Sequence, residues 1–600
     1  MSSHAAVPVP SPRLARALLM TLAVAPALAV LPGRWGDHIA FVLYREPKWA
    51  VLSVLGWAFL AAWAWDHRRI APPRLGSALR TVPAASLAGL LIWMGLSRFW
   101  GRVPENHTLE LRGWLLGALV AAACLAGHRT ADDGRWRWTL RWALVSAGAA
   151  VTLIGLLQLV VPIPGLIPID ADRYGVVQTS TLGYKNPAAW AVVGQIFVAG
   201  GLALAVRRRG LRWALWGLVA AQIFYIGGLQ SRTAIVAFLA GLTVWLGLDP
   251  GVARRRGAVG AVAALGVLAL ALGLSPAARE RALTLLDLAK PAAYLESDRG
   301  VYLRNTLAMV AERPLGVGLG DWQTEYPVYR AVGREVAFDG LHQVRRAHAD
   351  HVQMLGELGW PGLVLWLLLL ASVAVTGARA ARRGSRPAAA ATAQWCALAV
   401  AMAGDYVVEM PYARLQWFLV LAWVLVEASP PGAREPRPSR RGAARDGGRG
   451  LVAAAALLLP VVLLEGLGAV ATVRGALHEA KVEVSYRTAM ASEDPALRAD
   501  LFWESISWCD SMDSMPFHSK TRYRAELLAA HAAQQLGRPA ESCRFLKRSL
   551  RLYPYQKPGL QLAARLSEGE KREAFDRAAR HVDHGAGHGF VGTYPDLSCR

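Results

Sequence analysis

Long apolar blocks alternate with short polar connectors along most of the chain. The blocks cover 14–31, 49–65, 83–97, 113–127, 139–162, 187–206, 213–229, 232–248, 258–274, 360–377, 391–408, 412–428 and 451–473. Most approach the length of helix needed to cross a hydrocarbon core about 30 Å thick. Apolar runs of this length, without a strand's alternation, predict helices. The expected fold class is an all-α polytopic membrane protein with about 12–13 transmembrane helices.

The connectors fix an expected orientation. With the N-terminus inside, the cytoplasmic loops carry Arg68, Arg69, Arg74 and Arg80, then Arg129, Arg135 and Arg137. Later ones carry Arg207 to Arg209, Arg254 to Arg256, and Arg379, Arg382, Arg383 and Arg386. A shift by one helix would put every cluster on the wrong side of the membrane. Arg13 and Arg16 open the first block, and no small-x-small cleavage site follows it at Leu31-Pro32-Gly33-Arg34, so it is read as a retained span. A bacterial inner (cytoplasmic) membrane protein is expected, with a cytoplasmic N-terminus and a periplasmic C-terminus. The net charge of +23 is thereby a matter of topology, and no nucleic-acid partner is expected.

Three regions fall outside the block pattern. The membrane domain, 1–428, contains a long extracytoplasmic loop at 275–359. A loop of that length without an apolar block is expected to be functional. A basic cytoplasmic linker, rich in Pro, Gly and Arg, follows at 429–450, then the last span at 451–473. The extracytoplasmic segment 474–600 is polar and helical in rhythm. Ala525 to Pro554 reads as a helical hairpin broken at Gly537-Arg538-Pro539, and Ala532, Ala540 and Pro554 give it a tetratricopeptide-like pattern. One repeat cannot bury its own apolar face, so helices near 496–511 and 558–580 must stack on it. A generic helical bundle fits the same residues. His518, His531, His581, His584 and His588 form no catalytic pattern, and this segment is expected to bind a protein partner or place an acceptor. Of five cysteines, Cys124 and Cys396 lie in apolar blocks; Cys509, Cys543 and Cys599 leave room for one disulfide whose pairing the sequence does not give.

Candidate chemistry gathers where the long loop re-enters the membrane. His348, Val352 and Leu355 recur at helical spacing, so a short amphipathic helix is expected to present His348 near the surface. An imidazole, with an unperturbed pKa of ~6.5, suits proton acceptance near neutrality. A lone His more often caps or lines a helix. Arg299, Arg232, the pair Lys185-Asn186, and Arg346 are expected on the same face. Charges at membrane depth are costly and tend to mark function. A guanidinium fork matches phosphate oxygens, although a single interfacial Arg can also snorkel to headgroups.

The segment Arg346-Ala347-His348-Ala349-Asp350 to Gly359-Trp360-Pro361-Gly362 resembles the O-antigen ligase/polymerase superfamily. The family pairs His-Asn with Gly-x-x-Gly after nine residues, and His348-Ala349 stands at the same gap from Gly359 to Gly362. Ser297-Asp298-Arg299, Asn305-Thr306-Leu307, Arg313-Pro314 through Gly320, and Tyr326-Pro327 are similar to the family's loop. Thr181 to Asn186 and Ser231-Arg232-Thr233-Ala234 also match in order and position, so the resemblance covers roughly 150–430. Ala349 replaces the usual Asn, removing a group that could orient an acceptor, and Arg346 stands where many relatives have a second His.

The resemblance implies transfer of a glycan from an undecaprenyl-diphosphate carrier to an acceptor hydroxyl. Catalytic roles fall to His348 as base and to Arg232 and Arg299 on the diphosphate. Lys185, Asn186, Arg346 and Asp350 are substrate-binding candidates. The implied chemistry needs no metal and no cofactor, because guanidinium groups carry the leaving-group charge. Acceptors in the family are lipid A core, a growing glycan or a protein; membrane lipids surround the chain. A ligase, a polymerase and a protein oligosaccharyltransferase remain open. A transporter would show internal symmetry that this sequence lacks, and an envelope scaffold is the third class.

Overall fold

The computed structural model describes residues 13–30, 40–67, 81–130, 134–163, 166, 175–249, 256–277, 279–280, 282–283, 297–329, 344–429, 443–515, 519–582 and 597. Most of the expected linker 429–450, and His518, His584, His588 and Cys599, lie outside them. The first helices are α1 (Arg13–Leu28), α2 (Ala40–His67), α3 (Val82–Leu96), α4 (Pro104–Thr130) and α5 (Arg135–Leu157). Next come α6 (Lys185–Val193), α7 (Ile196–Ala205), α8 (Arg209–Gly228), α9 (Arg232–Leu248) and α10 (Arg256–Leu274). The long loop supplies α11 (Asp298–Glu312) and α12 (Trp322–Tyr329), and α13 (Asp350–Arg382), α14 (Arg386–Gly404) and α15 (Pro411–Ala428) follow. The rest is α16 (Ala443–Ala491), α17 (Pro495–Asp513), α18 (Arg522–Gln535), α19 (Pro539–Leu552), α20 (Lys557–Arg565) and α21 (Gly569–His581).

Among the described residues each apolar block falls mostly on helix, the block 187–206 on two, α6 and α7. Seven stretches are long and apolar enough to cross a membrane by length and composition: Tyr44–His67, Val82–Phe99, Pro104–His128, Arg135–Leu157, Lys185–Ala205, Asp350–Arg382 and Ala454–Ala491. Arg232–Leu248 and Gly260–Leu274 are shorter apolar helices. The blocks at 14–31, 213–229, 391–408 and 412–428 lie on helices that are shorter or less apolar. The chain is an all-α polytopic membrane protein. Its bundle centres on packed indoles, with Trp366 stacked on Trp417 at 5.3 Å and Trp114 edge-on to both.

The helix α13 is broken where its sequence demands it. Gly359 takes φ 66°, and Pro361 has no N–H to return to Glu357. The carbonyls freed there are taken by the loop: Val317 N donates to Gly356 O at 3.0 Å and Gly318 N to Glu357 O at 2.9 Å. Trp93 Nε1 donates to Leu358 O at 2.8 Å. A Cβ on Gly359 would stand 2.1 Å from Pro314 O, so the approach of the two segments requires glycine. The Gly-rich run at 316–320 is thus a splint for a kink.

The C-terminal region is not set apart from the rest. α16 runs unbroken for 49 residues, about 74 Å at 1.5 Å per residue, through the expected boundary at 473/474. Its membrane part pairs Glu465 with Arg112 of α4. Beyond, Val482, Phe502, Leu527 and Phe545 share one apolar core with Tyr302, Met309, Trp322 and Tyr326 of the loop. Loop and C-terminal helices together form a cap over one end of the bundle. Polar ties pin it: Arg102 reaches Tyr555 and Glu325, and Arg551 meets Glu105 at 3.3 Å. The hairpin α18–α19 turns at Gly537 with φ 69°, where the sequence breaks it. Cys543 is disulfide-bonded, whereas Cys124, Cys396 and Cys509 are free.

Candidate functional site

Among the described residues only Ser180, Gln230 and His348 are non-glycine with positive φ, at 54°, 55° and 50°. Each sits in or just before a segment singled out by its motif. Such conformations cost on the order of 1–3 kcal/mol and persist where surrounding contacts impose them. His348 lies two residues before α13, not on a helix as its periodicity suggests. The reason is local: Asp350 accepts Val407 N at 2.7 Å and Val408 N at 3.1 Å, fixing the helix start and leaving 346–349 extended or turned.

One carboxylate organises the surroundings. Asp405, fully buried at the C-terminal end of α14, has His348 Nδ1 at 3.5 Å from Oδ1 and Arg299 Nη2 at 3.9 Å from Oδ2. Asn186 Nδ2 donates to Oδ2 at 2.7 Å, and Tyr406 N to Oδ1 at 3.0 Å. His348 and Arg299 keep 39% and 26% of their side-chain surface, so both reach from a sealed carboxylate toward open space. The imidazole lies between two rings, stacked on Tyr302 at 5.6 Å and edge-on to Tyr406 at 5.0 Å. With Nδ1 turned to Asp405, Nε2 is the ring nitrogen left to accept a proton.

The elements deliver these groups from four parts of the chain. Ser297 caps α11, accepting from Gly300 N at 3.4 Å, and Arg299 follows in the first turn. Asn186 sits in the first turn of α6, one residue after the buried Lys185. Arg232 opens α9, whose Thr233 hydroxyl donates to Gly404 O at 3.4 Å, one residue before Asp405. The remaining sequence candidates lie behind the site. Arg346 is buried against Glu409 at 2.5 Å and over the Tyr406 ring at 4.3 Å. Burial disfavours its charge, but Glu409 and Tyr406 outweigh that and raise its pKa. The Asp350 carboxylate is held by the two valine amides and faces the protein interior.

Asp405 is the group that the motifs do not mark. It is the lone charge in the block 391–408, and an acid inside an apolar block is itself a functional signal.

The fold is that of a polytopic membrane protein with a histidine–carboxylate–guanidinium cluster at the capped end of its bundle. Residues 217–367, about a quarter of the chain, match the O-antigen ligase family. That stretch contains Arg232, Arg299, Arg346, His348 and Asp350; Lys185, Asn186 and Asp405 lie outside it. No curated protein matches the chain. That match points to a glycosyltransferase-like enzyme.

Proposed function

We propose that the protein transfers a glycan from an undecaprenyl-diphosphate carrier to an acceptor hydroxyl at the periplasmic face of the inner membrane. The observation that carries this reading is the convergence of His348, Arg299 and Asn186 on Asp405. The acceptor oxygen attacks the anomeric carbon while the bond from that carbon to the diphosphate oxygen breaks. The bonding pair leaves with undecaprenyl diphosphate, and the hydroxyl proton passes to His348 Nε2. Asp405 holds the ring in that tautomer and stabilises the imidazolium that forms, the role a buried carboxylate plays in other acid–base sites. Arg299 and Arg232 meet the charge that develops on the leaving diphosphate.

The Arg-rich connectors support a periplasmic cap, as does the bonded Cys543, because disulfides persist in oxidising compartments. The antiparallel pairs α18–α19 and α20–α21 support a tetratricopeptide-like arrangement of the C-terminal helices. The test is a purified full-length protein in lipid, given an undecaprenyl-diphosphate glycan. Lipid A core, a glycan chain and a Ser/Thr protein are offered as acceptors in parallel. One acceptor should be glycosylated, and His348→Ala should cut turnover on the order of 10²–10⁴-fold. Normal transfer by that variant would overturn the mechanism.

A further inference from the structure

Behind the Asp405 site lies a second, sealed polar cluster that the transfer chemistry does not use. Its centre is Glu110 of α4, paired with Arg414 of α15 and, at 3.8 Å, with Arg45 of α2. A void of about 20 Å³ beside it has no room for more than a water-sized molecule, so the cluster is not a ligand site. Its remaining cation comes from the cap. Lys520, in the turn before α18 and 7% exposed, puts Nζ 2.7 Å from Glu110 Oε1 and 3.7 Å from Glu409 Oε1. Its backbone is fixed as well, because Gln323 Nε2 of α12 donates to Lys520 O at 3.2 Å.

Glu409 connects this cluster to the site. It lies on the short connection 405–410 between α14 and α15, four residues after Asp405. The same carboxylate holds Arg346, which covers Tyr406 and stands two residues before His348. Arg414 adds a bond from Nε to Val408 O at 2.6 Å. Burial alone would strip the Lys520 charge; Glu110, then Glu409 and Glu357, hold its ammonium above the ordinary range, so it is a cation here.

Resting on the transferase reading above, we infer that Lys520 is a positioning residue supplied by the C-terminal helices, acting through Glu409 on the connection that carries Asp405 and on Arg346 beside His348. The C-terminal region is then part of the enzyme's working geometry and not a separable adaptor. Two facts favour this over simple docking. A cap held only for stability is served by apolar contacts, whereas burying an ammonium among carboxylates is expensive unless all partners are fixed. And the shared partner, Glu409, also pairs with a residue adjoining the site.

The experiment uses the full-length protein in lipid, with Lys520→Met, Lys520→Arg and Glu409→Gln beside wild type. Amide hydrogen exchange needs no turnover and reads the connection directly. In Lys520→Met, exchange over 405–410 and 344–349 should rise at least tenfold while α18 and α19 stay protected. In the glycan-transfer assay kcat should fall about 10–100-fold, with donor KM changed less than threefold, and Lys520→Arg should recover most of the loss. If Lys520→Met does not fold, Glu409→Gln must show the same exchange and kcat changes. Unchanged exchange over 405–410, or a rise only together with α18 and α19, would overturn the inference. So would loosened exchange with wild-type kcat. A wild-type protein that transfers no glycan would sink the transferase reading, whereas the exchange result would still decide whether Lys520 holds the connection.

Discussion

Two clusters of charge share the connection 405–410, and they are built on opposite terms. Around Asp405 the close partners are neutral, Asn186 at 2.7 Å and Tyr406 N at 3.0 Å, while His348 at 3.5 Å and Arg299 at 3.9 Å stand farther off and keep surface open. Around Glu110 the charged partners Arg414, Lys520 at 2.7 Å and Arg45 at 3.8 Å are all buried. Ions left half open can exchange a protein partner for a substrate. Ions that are sealed can only hold shape, because any substrate would first have to displace a carboxylate from a dry site. Reach toward open space, more than the number of charges, therefore separates the candidate chemistry from its support.

Neutralising the two hubs should make different properties fail, turnover at one and stability at the other. Asp405→Asn keeps the shape but removes the charge that orients His348. Turnover should drop on the order of 10²–10⁴-fold, while helix content and membrane insertion stay as in wild type. Wild-type turnover in this variant would show that the open cluster is not the site. For the sealed hub the expectation is reversed. Arg414→Met leaves Glu110 with fewer partners and should destabilise the protein by about 3–5 kcal/mol, read by denaturant unfolding in detergent. Adding Glu110→Leu should recover part of that loss, since the orphaned charge goes with it. A neutral Arg414→Met would place Glu110 among groups that reach water.

A smaller effect sharpens the picture at the rim of the cap. Asp321 accepts Val103 N at 3.0 Å and also bonds Arg102 N. Burial, helped by Glu325, pushes its pKa up to about 7 against those two amide bonds. A carboxyl raised in the folded state stabilises in full below its unfolded pKa. That contribution is lost as pH rises toward 7 and is gone above it. Thermal unfolding of wild type should therefore weaken between pH 4 and 7, on the order of 1 kcal/mol, and Asp321→Asn should flatten that slope. A slope identical in both proteins would remove Asp321 from the account.

Much of this architecture is legible in the sequence alone. The thirteen apolar blocks form helices because runs that long cannot satisfy their backbone in a membrane by other means. The break at Gly359-Trp360-Pro361 follows from one residue that tolerates positive φ and another without an N–H. Arg232 stands out at the start of an apolar run, and Arg299 and His348 as motif positions in the long loop. What the sequence does not reveal is which groups meet. Asp405 reads as a stray charge inside a span, and Lys520 as one basic residue in a polar turn. The helical phase places His348 on a helix, whereas Asp350 starts that helix two residues later by capturing amides 57 and 58 positions away.

Local sequence determined the elements, because propensity, backbone freedom and hydropathy act over a few residues. Only the tertiary structure brought Asn186, Arg299 and His348 to one carboxylate, and a lysine of the C-terminal region into a cluster begun by Glu110. Each of those pairs joins residues tens to hundreds of positions apart. No local preference encodes such a pairing; it exists because folding leaves a buried charge nowhere else to find its partner.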